Sequence, residues 1–144
     1  MRKIIVGLSI FISMLLIWFI YSYFQPPILK GTSSDGKWNV EYTPEKSPKD
    51  TWMGRLIWRG EYEVNVTSVE YKIGTQVAAD FEENKVEILS ENESFEFVTY
   101  GSPPSEKETY SLSISWKEGQ NELQDTIQLK KKKRLLVIPN FYKR

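Results

Sequence analysis

Tyr110-Ser-Leu-Ser-Ile-Ser-Trp116 alternates without a break between large apolar and small polar side chains. The chain then turns at Glu118-Gly-Gln-Asn121 and returns through Leu123, Ile127 and Leu129. Successive side chains of a strand point to opposite faces, so this stretch reads as an antiparallel hairpin with one buried face. The same period runs back toward the N-terminus. Trp38, Val40 and Tyr42 oppose Lys37, Asn39 and Glu41, and Trp52, Leu56 and Trp58 oppose Arg55 and Arg59. Gly60 and Glu61 read as a turn into a strand where Tyr62, Val64 and Val66 alternate with polar neighbours. The apolar set then moves from even to odd positions at Val69, Tyr71 and Ile73. That slip predicts a bulge or a strand break near Thr67–Ser68.

Residues 77–81 fit a short strand or a helical turn, and Val86–Leu89 with Phe95–Tyr100 fits a hairpin around Glu91–Asn92. Residues 102–107, with Pro103 and Pro104, read as a loop. Roughly seven or eight short strands between 37 and 129, with turn signals every 8–12 residues, predict an immunoglobulin-like β-sandwich without a disulfide. A partly closed barrel is the alternative. Trp38, Trp52, Trp58 and Trp116 are the expected core, because large rings supply much of a small domain's buried area.

Ahead of this domain, Ile4 to Phe24 carries no charge. As a helix it would be about 31 Å long, close to the roughly 30 Å of a hydrocarbon core. Its Ile, Leu, Val and Phe residues contribute on the order of −4 to −8 kcal/mol to insertion. A cleaved signal peptide would have a shorter apolar run ending in small residues, whereas no alanine precedes Ala78. Trp18, Tyr21, Tyr23 and Phe24 suit a membrane–water interface, and Pro26-Pro27 ends the helix. The expected layout is a cytoplasmic stub (1–3), a transmembrane helix (4–24) and a linker (25–36). An extracytoplasmic domain (37–129) and a basic tail (130–144) follow. Arg2 and Lys3 place the N-terminus in the cytoplasm by the positive-inside rule.

Charge is balanced overall, with 19 basic and 19 acidic residues, but not along the chain. All 19 acidic residues lie between Lys30 and Leu129, where there are 10 basic ones, and the last 15 residues hold 7 basic residues and no acidic one. Cysteine and histidine are absent. That removes disulfides, thiolate chemistry and a lipidated N-terminal cysteine. It also removes the usual neutral-pH proton shuttle and the usual zinc and copper ligands. No cofactor is expected. A small eukaryotic secreted domain would ordinarily carry disulfides, so the composition leans toward Gram-positive bacteria.

Glu82 and Glu83, Glu91 and Glu93, and Glu106 and Glu108 are carboxylate pairs. Glycoside chemistry needs two carboxylates facing each other across a cleft, whereas these fall in loops or on solvent faces. Asp80-Phe-Glu-Glu-Asn84 offers oxygen ligands but lacks the spacing of a calcium loop. Ser111, Ser113 and Ser115 have no base or nucleophile elbow and read as the wet side of a strand. Asn65-Val-Thr67 and Asn92-Glu-Ser94 match a glycosylation triplet that occurs often by chance.

The candidate binding residues are Lys130, Lys131, Lys132, Lys133 and Arg134. They suit anionic headgroups or a polyanionic wall polymer, while nucleic acid is not expected outside the cell. In the competing reading Leu135–Ile138 adds an edge strand, and the lysines are solvated charges that discourage aggregation.

Lys37-Trp-Asn-Val-Glu-Tyr-Thr-Pro44, Gly54-Arg-Leu-Ile-Trp-Arg-Gly60 and Ser115-Trp-Lys-Glu-Gly119 carry one resemblance. Over residues 36–129 the chain resembles small, uncharacterised membrane-anchored or secreted β-sandwich proteins of Bacillus-like bacteria. The resemblance implies a cell-surface location and brings no activity or catalytic residue. The expected function is a non-enzymatic, membrane-tethered domain that binds a protein or an envelope polymer. Its rivals are an accessory subunit acting through the transmembrane helix and a carboxylate-dependent envelope hydrolase.

Overall fold

The computed structural model describes residues 2–45, 48, 50–82, 88–134 and 137. Helix α1 (Arg2–Tyr23) is followed by nine strands. These are β1 (Ile28–Thr32), β2 (Trp38–Pro44), β3 (Trp52–Trp58), β4 (Val64–Ile73), β5 (Gln76–Phe81), β6 (Ile88–Leu89), β7 (Ser94–Gly101), β8 (Tyr110–Glu118) and β9 (Asn121–Lys132). In α1, Ile4–Tyr23 is long and apolar enough to cross a membrane. Ile4, Leu8, Phe11, Met14 and Ile17 are all exposed, so the strand body covers none of them.

The strands form one hydrogen-bonded path, β5-β4-β8-β9-β1-β2-β3-β7, with β6 beside the start of β4. Every pairing is antiparallel. The two ends of the path come back together. Phe81 of β5 meets Phe95 of β7 edge-on at 5.2 Å. A turn after β6 then ties across, since Asn92 N donates to Trp58 O at 2.9 Å and Trp58 N donates to Glu93 O at 3.0 Å. This body is all-β as expected, but its single path nearly closes on itself. The immunoglobulin-like description needs two separate facing sheets and finds no support in that path; the partly closed barrel fits it better.

Alternation decides which face is inside. Trp38, Trp52, Trp58 and Trp116 are all buried, as expected. Trp38 lies 4.6 Å from Trp58 and 5.6 Å from Trp116 by ring centroids, filling the end of the barrel away from α1. Nearer α1, Trp52, Tyr42, Tyr71 and Tyr110 stack in succession at 5.6, 6.0 and 6.4 Å. Burial pushes the Tyr42 hydroxyl up to about 12, although it donates to Ser102 O at 2.9 Å. Tyr71 is pushed higher by the same cause, and its hydroxyl has no partner among the described residues.

The even-to-odd slip is a bulge inside one strand. Pairing of β4 with β8 shifts between Val66 and Ser68, and Val66 and Thr67 are both buried. Residues 77–81 belong to a strand, not a helical turn. Three details differ from the sequence reading. Tyr62 lies before β4 and is exposed, because the turn consumes it: its carbonyl accepts Trp58 Nε1 at 2.7 Å. Val86 and Lys85 fall outside the described residues, and β6 pairs with β4 while β7 pairs with β3, so Glu91–Asn92 is a crossover between distant strands and not a hairpin tip. Finally, the expected linker contains β1, which pairs with both β2 and β9.

The β1–β9 joint extends into the following loop, where Ser34 donates through both N (2.8 Å) and Oγ (3.0 Å) to Asp125 Oδ2. The Ser34 amide is the main reason the Asp125 carboxyl sits below its usual value. A group whose pKa falls on folding adds stability above its unfolded pKa, near 4, and loses it as pH drops through the folded value. Urea midpoints of Asp125→Asn should therefore converge on wild type below about pH 4 and fall short of it at neutral pH.

Close packing also fixes Gly54, which is buried opposite Val98 where the β3–β7 register slips. A Cβ there would lie 2.5 Å from the ring of buried Phe97. Gly54→Val is expected to destabilise by about 1–3 kcal/mol, read from the urea midpoint at unchanged slope.

Candidate functional site

Because β1 leaves α1 and β9 pairs with β1, the end of the helix and the end of the last strand meet at one end of the barrel. The register is Ile28↔Lys132, Leu29↔Lys131 and Lys30↔Lys130. Three of the five candidate cations, Lys130, Lys131 and Lys132, thus sit in an interior strand of the sheet. Lys130 and Lys30 face each other as like charges, an arrangement that is destabilising unless relieved. Lys30 is relieved by Glu41 at 2.6 Å. Lys131 Nζ donates to Glu106 O at 2.7 Å and lies 5.9 Å from the Tyr110 ring.

Lys133 and Arg134 bend toward the helix. Lys133 Nζ is 4.8 Å from the centre of the Tyr23 ring. The Arg134 guanidinium lies over Trp52 at 5.8 Å, and its Nη2 donates to Pro26 O at 3.4 Å. It therefore caps the aromatic stack at the α1 end. Arg134 Nε is buried without an acceptor among the described residues. Desolvation lowers the Arg134 pKa from its ordinary value. Beyond it, Val137 is clasped by one turn of α1: Trp18 Nε1 donates to Val137 O at 2.7 Å, and Val137 N donates to Ser22 Oγ at 3.0 Å. The proposed edge strand at 135–138 otherwise lies outside the described residues.

The basic cluster is thus a collar around the exit of α1, built from strand β9 and braced by the helix. Periodicity could reveal neither that β9 extends to Lys132 nor that Tyr23 and Pro26 stand beside Lys133 and Arg134. The aromatic cluster at the helix end was the one visible signal.

The other candidates are scattered. Glu91 and Glu93 lie exposed on the turn away from α1, whereas Glu106 and Glu108 lie exposed in the loop before β8, at the α1 end. Glu82 is exposed, while Glu83 and Asn84 are outside the described residues. Among the described residues no group of three or more acidic side chains is placed to hold a metal ion. Ser111, Ser113 and Ser115 are half-buried on the outer face of β8, and Ser113 shares a hydrogen bond of 3.1 Å with Thr126. Asn65 is half-buried within β4, and Thr67 is buried, so that triplet is not freely presented.

Charge has a direction along the barrel. Around the turns away from α1 stand Asp35, Glu61, Glu63, Glu91, Glu93, Glu118 and Glu122, with Lys37, Arg59 and Lys117 among them. The collar lies at the opposite end. Comparison with family models, with curated proteins and with solved structures gives no match for this chain.

Proposed function

We propose that the chain is a single-pass, membrane-tethered binding domain without catalytic chemistry of its own, displayed on the outer face of a Gram-positive cell. The observation that carries this reading is the apolar helix Ile4–Tyr23, whose large side chains such as Ile4, Leu8, Phe11, Met14 and Ile17 are exposed, joined to a folded barrel through Phe24–Pro27. Such a surface is costly in water and favourable in lipid. Arg2 and Lys3 favour an N-terminus in the cytoplasm, which puts the barrel outside. The rim of turns farthest from the helix, with its acidic surplus and exposed Tyr62, then faces away from the membrane toward a protein or envelope partner. Complementary charge there would favour a cationic surface and speed encounter.

The test is crosslinking on intact cells followed by purification of the full chain. A specific partner, lost when Tyr62 and the adjoining Glu61 and Glu63 are replaced, supports the reading. Recovery of neither a specific protein nor envelope material overturns it. Labelling of the C-terminal region only after lysis would overturn the orientation.

A further inference from the structure

Near the helix exit, Lys30 and Arg55 each have a carboxylate, Glu41 at 2.6 Å and Glu45 at 2.7 Å. None of Lys130 to Arg134 forms such a pair among the described residues. The acceptors that Lys131 and Arg134 do have are neutral carbonyls, of Glu106 and Pro26. Among the described residues five positive charges are therefore gathered at one place without an ion pair, with exposed Glu106 and Glu108 in the neighbouring loop. Arg134 keeps a buried Nε with no acceptor among the described residues. A guanidinium presents its donors as a planar fork suited to phosphate oxygens.

We propose that Lys132, Lys133 and Arg134, beside Tyr23 and Pro26 at the end of α1, bind the phosphate of an anionic phospholipid in the leaflet where α1 leaves the bilayer. This second attachment holds the barrel in one orientation on the membrane. The inference rests on the tethered reading above and adds the ligand. Height selects lipid over a wall polymer. Ile4–Tyr23, about 30 Å as a helix, matches the hydrocarbon core, so Tyr23 and Pro26 stand at its boundary with the headgroups. Val137 lies back along the last turns of that span, bonded to Trp18 and Ser22. Those bonds also satisfy both backbone groups of Val137, as a non-helical segment at that level requires. Lys133 and Arg134 then lie among the headgroups.

The chain has no cysteine, so Tyr62→Cys offers a single labelling site on the far rim. The labelled full chain is reconstituted in nanodiscs of phosphatidylcholine, with or without phosphatidylglycerol, and energy transfer to headgroup acceptors reports its distance distribution. Phosphatidylglycerol should narrow that distribution. K132Q, K133Q and R134Q should each reduce the oriented fraction relative to the free one by about fivefold, and raising salt from about 0.05 to about 0.5 M should broaden it again. Identical distributions in the two lipids overturn the proposal without depending on any variant. Release by millimolar inorganic phosphate would also overturn it, showing a free-anion site instead. Vesicle flotation separates the two readings: a chain that fails to float refutes the tether, whereas one that floats but ignores lipid charge refutes the headgroup site alone.

Discussion

Trp38→Ala is expected to remove about 3–5 kcal/mol of stability, the usual cost of emptying a large aromatic site in a core. Trp38 is fully buried and is the shared member of the three-ring cluster with Trp58 and Trp116. Its loss leaves both neighbours facing a void. Small domains are stable by about 5–15 kcal/mol in total, so this one substitution should leave the barrel close to unfolding at physiological temperature. Urea denaturation of the full chain in detergent, followed by the fluorescence of the remaining tryptophans, measures it. Trp38→Phe should cost distinctly less, because the indole N–H lacks a partner among the described residues and removing it leaves no acceptor stranded. A loss below about 1 kcal/mol for the alanine variant would mean that the cluster is not core.

The other large effect concerns α1. Ile12→Lys combined with Leu16→Lys places two charges in the middle of Ile4–Tyr23. Each costs about 2.5–3.5 kcal/mol at the centre of a membrane helix. Together they cancel most or all of the favourable insertion energy. The double variant should leave the membrane pellet on alkaline carbonate extraction, whereas wild type remains. Wild type extracted as readily as the variant would defeat the anchor. The mass of the purified protein separates anchor from leader: an intact N-terminus is expected, and a species beginning beyond Tyr23 would show cleavage.

What was legible from the residues follows from how local each signal is. Alternation located β2, β3 and β8 because one face of each is wholly apolar, and a change of parity was enough to place the Thr67 bulge. The four core tryptophans were legible for the same reason. Strand β1 was not. Its five residues, Ile28–Thr32, include a lysine and a glycine, and it is a strand because β2 and β9 flank it, which no local pattern records. The turn at Glu91–Asn92 was visible as a turn, but its neighbours pair with β4 and β3 and not with each other. Choosing between sandwich and barrel likewise required the strand order. The collar residues could be named from charge alone. Their position beside Tyr23 and Pro26 depends on a contact between sequence-distant segments, and so does any argument for their ligand.

The β1–β9 joint has a consequence for biosynthesis. Residues 28–30 are among the first of the body to leave the ribosome, yet their neighbours on one side, Lys130–Lys132, are among the last. Until those emerge, the nascent chain can assemble only two four-stranded halves, β1-β2-β3-β7 and β5-β4-β8-β9, each with a bare margin where the other belongs. Such late, long-range closure is slow and leaves sheet margins open to wrong partners. Early arrest of translation should therefore yield a product missing the seam itself and prone to self-association.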